Sequence, residues 1–213
     1  MIFIEMPISK VNAMDEEENF VIVIDPGHGG NDPGAINYGL GLREAEINYK
    51  ISKYAKEELE KYEGVKVYLT RYDNCPTIFE RGEIAKKYNA DLVLSMHINS
   101  GNKNRRGAEV WVTQDNTKIE YYQKSKIVGE KVLNNLSKLG IKNRGVSTRT
   151  GKSEEIGGTV FEAFDEKDSK IQVVIINTVL GFLSSINSAK ASSNFSLQPK
   201  VTSCPSNGSF TNN

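Results

Sequence analysis

Phe20-Val21-Ile22-Val23-Ile24-Asp25-Pro26-Gly27-His28-Gly29-Gly30 is the stretch whose reading decides the fold. Its first half is an unbroken apolar run rich in β-branched residues, which suits a strand buried on both faces, as in a parallel sheet. The second half cannot continue that strand, because one proline and three glycines between Asp25 and Gly30 force a loop. Residues 31–41 are again glycine-rich, so a long irregular connection follows the strand.

Working outward, residues 44–62 turn helical: Ile47, Ile51, Tyr54, Ala55 and Leu59 recur at spacings of three and four with Lys and Glu between them. Gly64 ends that pattern. Val65, Val67 and Leu69 then alternate as on one face of a strand, and residues 78–88 form a second amphipathic helix. Residues 90–97, Ala-Asp-Leu-Val-Leu-Ser-Met-His, read as another strand with a buried centre. A strand over 108–113 and a helix over 119–139, closed by Gly140, complete the regular part. Strands alternating with helices imply an α/β fold in which helices flank a mainly parallel central sheet. Residues 171–183 are apolar enough for one further buried element. Three segments are expected: a disordered 1–19, a single catalytic domain over 20–183, and a polar, disordered tail over 184–213.

Composition narrows the function classes. Lys plus Arg and Asp plus Glu both number 27 in 213 residues, so the basic excess typical of nucleic-acid binders is missing. No stretch is long and apolar enough for a membrane span. Val11-Asn12-Ala13 has the small-residue look of an export cleavage site, but no basic or hydrophobic region precedes it, and a floppy start is the favoured reading. Cys75 and Cys204 lie in unlike contexts and match neither a zinc-spacing motif nor a disulfide framework, so two free thiols are expected over a single bridge.

The chain has only two histidines. His28 lies just past the C-terminal end of the first strand and His97 at the C-terminal end of a later one. In a parallel sheet those ends share one edge, the edge where α/β proteins place their sites. Glu44 opens the first helix directly after the His28 loop and can point to the same edge, as can Glu46. Two imidazoles and a carboxylate make the donor set of a catalytic zinc ion with one open position, where zinc lowers the pKa of water to roughly 7 and polarises a carbonyl. Asp25 is a candidate to orient an imidazole from behind. The glycine-rich loop could instead be a plain turn or a phosphate cradle, but it has neither the Gly-Lys-Ser/Thr ending nor the dinucleotide spacing of such loops.

Val23 to Gly30, then Asp32-Pro33-Gly34-Ala35, Arg43-Glu44-Ala45-Glu46-Ile47, Leu69-Thr70-Arg71, Arg81 and Ala90 to Ser100 occur in an order that resembles the zinc-dependent N-acetylmuramoyl-L-alanine amidases. These are the catalytic domains of bacterial autolysins, sporulation amidases and phage endolysins. The resemblance covers residues 21–149, with 107–112 similar to the strand that follows the second histidine. It implies His28, Glu44 and His97 as ligands of a Zn2+ ion and favours Glu44 over Glu46. It also implies cleavage of the amide between the lactyl group of N-acetylmuramic acid and L-alanine in peptidoglycan, and that substrate places the work at the cell wall; a monomer is expected. Arg71 and Arg81 match family positions and are read as anchors of helix to sheet.

After about Ser153 the chain departs from the family pattern. The family carries a catalytic Glu near the end of its last strand, and Thr159-Val160-Phe161-Glu162-Ala163-Phe164 is the nearest match, which makes Glu162 the candidate general base. The last helix and strand of the family are expected to be replaced, leaving a C-terminal part that is atypical or truncated. A degenerate domain that holds zinc and wall without turnover is the alternative.

Overall fold

The computed structural model of the chain describes residues 19–72, 74, 76–98, 106–113, 119–149 and 172–179. Glu162, Cys75, Cys204, the N-terminal segment before residue 19 and the tail after 183 lie outside these residues. Eight strands and three helices are described, in the order β1 (Phe20–Pro26), β2 (Ile36–Asn37), β3 (Leu42–Arg43), α1 (Glu44–Leu59), β4 (Val65–Leu69), α2 (Ile78–Lys87), β5 (Leu92–His97), β6 (Gly107–Thr113), α3 (Ile119–Lys138), β7 (Asn143–Arg149) and β8 (Gln172–Val179).

Six strands form one sheet in the order β4-β1-β5-β8-β6-β7, and β2 pairs with β3 in a small separate hairpin. β4, β1, β5 and β8 run parallel to one another. β6 joins β8 antiparallel and carries β7 parallel to itself. The sheet is therefore mixed and mostly parallel, as the alternation of strands and helices implies.

Two apolar layers hold it. Ile22, Ile24, Val67, Leu69, Leu94, Val110, Val174 and Ile176 pack with Leu133 of α3 and with Tyr49, Ala55 and Leu59 of α1 on one face. Val23, Val93, Val173 and Ile175 pack with Ala85 and Tyr88 on the other, where α2 lies. Gly129 lets α3 approach closely, since a Cβ there would lie 2.7 Å from Val110 Cγ1.

α1 leads from β1 to β4 on one side, and the connection through α2 ends in β5 on the other side of β1. The chain thus winds in opposite directions from β1, and the crevice at the C-terminal ends of β1 and β5 is a topological switch point. α2 starts sharply because Thr77 and Glu80 form a reciprocal capping box, with Thr77 N donating to Glu80 Oε2 at 2.6 Å and Glu80 N to Thr77 Oγ1 at 3.3 Å.

Residues 171–183 supply the buried element expected there, as a core strand: β8 sits between β5 and β6, with Val173, Val174, Ile175 and Ile176 buried. The sheet is therefore not left open where the family resemblance ends. β7 was not foreseen, because Asn143-Arg144-Gly145-Val146-Ser147 shows no apolar alternation; it is an edge strand, where one is not required. The apolar stripe of α1 is also rotated. Its buried residues are Glu44, Ala45, Asn48 and Ser52, whereas Ile51 and Tyr54 are exposed. The helix is turned by Glu44 reaching the rim and by Asn48, one turn on, donating to Gly27 O at 3.3 Å.

The free edge of β4 is occupied by α1. Lys56 Nζ donates to Val67 O, Val67 N donates to Glu60 Oε1 at 3.4 Å, and Lys56 and Glu60 pair with each other. Val65 N is taken by Tyr62 O at 3.2 Å.

Candidate metal centre

The loop after β1 folds back on itself. Gly27 N still donates to Met96 O at 2.9 Å, continuing the β1–β5 ladder, after which His28 adopts φ 62°. A left-handed conformation at a residue other than glycine costs about 1–3 kcal/mol and persists only where the surroundings impose it. Gly29 and Asp32 then bond each other reciprocally, and Glu44 N and Ala45 N are held by Ala35 O and Pro33 O. This brings the start of α1 beside the end of β5.

His28, Glu44 and His97 meet there. Each offers one ligand atom, and those atoms lie within 4.8 Å of one another. His28 Nε2 and His97 Nδ1 both stand 3.3 Å from the same oxygen, Glu44 Oε1, and the two rings meet edge to face at 5.1 Å. Among the described residues these three are the group able to hold a metal ion. Two imidazole nitrogens and a carboxylate oxygen directed at one another, with no protein cation between them, are a donor set that suits a borderline-soft divalent ion.

The electrostatics keep the set ready. Burial would raise the Glu44 carboxyl, but His28, His97 and the backbone N–H groups of Ala35 (2.9 Å) and Ile98 (2.8 Å) hold it far below the usual carboxylate range. The hydrogen bond to Glu44 pushes the His28 imidazole up to about 9, against burial and with the help of Asp32. A metal ion bound here would have to displace that proton, and Asp32, on Nδ1, would leave Nε2 to face it.

Asp32, not Asp25, orients the imidazole. Asp32 Oδ2 lies 2.7 Å from His28 Nδ1. Asp25, 2% exposed, instead accepts from Thr70 Oγ1 at 2.5 Å, Ser95 Oγ at 2.9 Å and Arg81 Nη1 at 2.7 Å. The only earlier sign of the Asp32 role was its spacing: a fold-back loop puts a residue four positions on within reach. Asp32→Asn is expected to weaken metal binding about 10- to 100-fold while leaving the fold intact, since Asp32 is 63% exposed. Competition titration against a chelator reads this, and an unchanged affinity would refute the role.

Burial raises the Asp25 carboxyl, but the Arg81 guanidinium and the Thr70 hydroxyl more than offset it and leave it below its ordinary value of 3.8. A carboxyl whose folded value is depressed stabilises the fold above its unfolded value; that stability is lost as pH falls through the folded one. The melting temperature is therefore expected to fall below about pH 4, and to fall less steeply in Asp25→Asn. Parallel acid titrations of both proteins test this.

Two further polar residues were not foreseen. Asn177 of β8 stands in register with His97 on one side and Glu109 of β6 on the other. It is 2% exposed, and its Nδ2 has no hydrogen-bond partner among the described residues. Glu109 pairs with Arg144 Nε at 2.9 Å.

A mostly parallel α/β domain with a His–Glu–His set at its switch point defines a class of protein able to hold a metal ion where hydrolytic sites are built. Comparison with known proteins narrows the class. Residues 22–208 match the family model described as N-acetylmuramoyl-L-alanine amidase, and the chain belongs to that family. The match runs through β8 and beyond, past the point where the motif resemblance stops. The sporulation-specific N-acetylmuramoyl-L-alanine amidase of Bacillus subtilis is 43% identical over 82 residues, 38% of this chain and 31% of that protein. The N-acetylmuramoyl-L-alanine amidase AmiA of Escherichia coli is 37% identical over 105 residues, 48% of this chain and 36% of that protein. The chain spans about half or less of the length of the curated relatives it matches. The crystal structure of an N-acetylmuramoyl-L-alanine amidase from Clostridium difficile 630 shares the fold, with a TM-score of 0.64 at 23% identity over 78% of this chain and 82% of that one.

Proposed function

We propose that this chain hydrolyses the amide bond between N-acetylmuramic acid and L-alanine in peptidoglycan, with Zn2+ held by His28, Glu44 and His97. The observation that carries the reading is the convergence of those three donors in a chain of this family. When bound, zinc supplies Lewis acidity toward a carbonyl oxygen and makes water acidic near neutral pH.

The residues divide the remaining work. Glu44 stays ionised and contributes the negative charge of the set. His28 presents Nε2 because Asp32 occupies Nδ1, and His97 presents Nδ1 from the rigid end of β5. Glu162 is proposed as the base that takes the proton of the attacking water and returns it to the leaving amine of L-alanine. The working place is the cell wall, outside the cytoplasmic membrane, and the working form a monomer. No described helix is long and apolar enough to cross a membrane.

A second reading has one observation in its favour. The residue in register with His97 on the adjoining strand is Asn177, whose carboxamide cannot accept a proton as a base does. A domain that binds zinc and wall without turnover fits that fact. Mass spectrometry of purified peptidoglycan digested with and without a zinc chelator separates the two. Stem peptides with a free N-terminal L-alanine, lost with chelator, support the amidase. No release from folded, zinc-loaded protein supports the non-catalytic reading.

A further inference from the structure

We propose that Arg71 and Arg81 are positioning residues for the metal centre: two buried guanidiniums that hold the His28 loop in its ligand-presenting conformation from beneath. The inference rests on the reading of His28, Glu44 and His97 as metal ligands. It goes beyond the anchoring of helix to sheet that the sequence alone suggests.

Both side chains end on the backbone of one loop. Arg81, from α2, donates through Nη1 to Pro26 O at 2.8 Å and through Nη2 to His28 O at 2.8 Å, while Nη1 also pairs with Asp25. Arg71, just after β4, donates through Nε to Pro26 O at 2.9 Å and through Nη2 to Gly27 O at 3.3 Å and Ala45 O at 2.8 Å. Three consecutive carbonyls, those of Pro26, Gly27 and His28, are thereby fixed by two planar groups, and Arg71 ties the same loop to the first turn of α1 that carries Glu44. Both arginines are buried, at 5% and 7% exposure, so these bonds form away from competing water.

The packing removes the remaining freedom. A Cβ on Gly29 would lie 2.9 Å from both Cδ and Nε of Arg71, so the loop rests directly on that side chain. On its other side the Arg71 guanidinium lies 5.4 Å from the centre of the Tyr49 ring. Arg71 is clamped between loop and helix, and Arg81 is clamped by Asp25, itself held by Thr70 and Ser95.

The loop needs such support, because His28 is in the left-handed region without being glycine. Left alone, the peptide after Gly27 would relax and turn the imidazole away from Glu44. Arginine suits the place by its rigid planar fork: a lysine keeps the charge but carries its donors on one flexible atom, which cannot reproduce contacts spread over separate guanidinium nitrogens.

The test compares zinc affinity, by chelator competition, with the melting temperature of the metal-free protein. Arg81→Lys and Arg71→Lys are each expected to weaken zinc about 10- to 100-fold, as losses of outer-sphere support do. They should also shrink the rise in melting temperature that zinc produces. Gly129→Ala, which crowds Val110 on β6, three strands along the sheet from β1, is the control: it should lower the metal-free melting temperature and leave zinc affinity unchanged. Only variants with wild-type far-ultraviolet circular dichroism are scored. Arg71→Lys, which leaves the Asp25–Arg81 pair in place, carries the test if Arg81→Lys does not fold. Lysine variants that bind zinc within about threefold of wild type, below the outer-sphere range, would overturn the proposal. His28→Ala separates its failure from that of the underlying reading: undiminished zinc binding there would remove the ligand set and the clamp together.

Discussion

Glu44→Gln is expected to end stoichiometric metal binding, and amide hydrolysis with it. The substitution preserves shape, so the loss reports charge and donor chemistry. Oε1 accepts from Ile98 N and Oε2 from Ala35 N, while both imidazoles address Oε1. A carboxamide has one acceptor and one donor end, so one backbone N–H must face an NH2 group. Leaving such a buried donor unpaired costs about 1–3 kcal/mol of fold stability. The neutral group also removes the one negative charge in the donor set. The affinity loss should therefore exceed the 10- to 100-fold typical of an outer-sphere change. Metal content after gel filtration, with a thermal melt on the same sample, measures both effects. One ion per chain in Glu44→Gln would show that the carboxylate is not a ligand.

Gly27→Ala should be nearly as damaging by a purely steric route. A Cβ at Gly27 would lie 2.6 Å from Nε2 and 2.7 Å from Nδ1 of His97, inside the distance any real Cβ tolerates. Gly27 is not among the glycines with positive φ, so backbone conformation is no obstacle and only the ring must yield. Restoring ordinary contact needs a shift of the imidazole on the order of 1 Å, a displacement that commonly costs about 10²-fold in rate. The stability cost of such crowding is about 1–3 kcal/mol. Gly41→Ala gives the opposite profile. Its φ is 63° but nothing lies within 4 Å of the added Cβ, so it should cost stability and spare turnover. Turnover in Gly27→Ala within a factor of three of wild type would refute this account of His97.

What the sequence could show follows from which forces act locally. β1 and β5 were legible because burial on both faces leaves unbroken apolar runs, and His28 and His97 follow from where those runs stop. α1 and α2 were legible from their periodicity, α2 more so because its cap lies in adjacent residues. Strand order was not, since nothing in 172–179 says that this segment inserts between β5 and β6 with one neighbour parallel and the other antiparallel. The rotation of α1 was misread for a related reason: the pattern of Ile47, Ile51 and Tyr54 assumes that hydrophobicity alone chooses the inner face. Here a carboxylate and an amide, Glu44 and Asn48, take that face because the rim binds them. Asp25 was assigned the orienting role that Asp32 fills, on similar grounds. An aspartate at a strand end beside a histidine suggests an orienting partner, but Asp25 belongs to a strand whose neighbours Ser95 and Thr70 claim it. Asp32 reaches His28 only because the loop reverses.

The occupied margin of β4 bears on how a peptide can be recognised. Many proteins that handle extended peptides accept them as an added strand, reading the main chain through a free sheet border. Lys56 and Glu60 close that route at Val67, and Tyr62 closes it at Val65. The same closure blocks pairing between copies of the chain through β4, the contact from which fibrillar stacking grows. On the proposed function, a stem peptide is not taken as an added strand at β4, and the side chains at the strand tips, around Glu44 and the two histidines, are where it would be met.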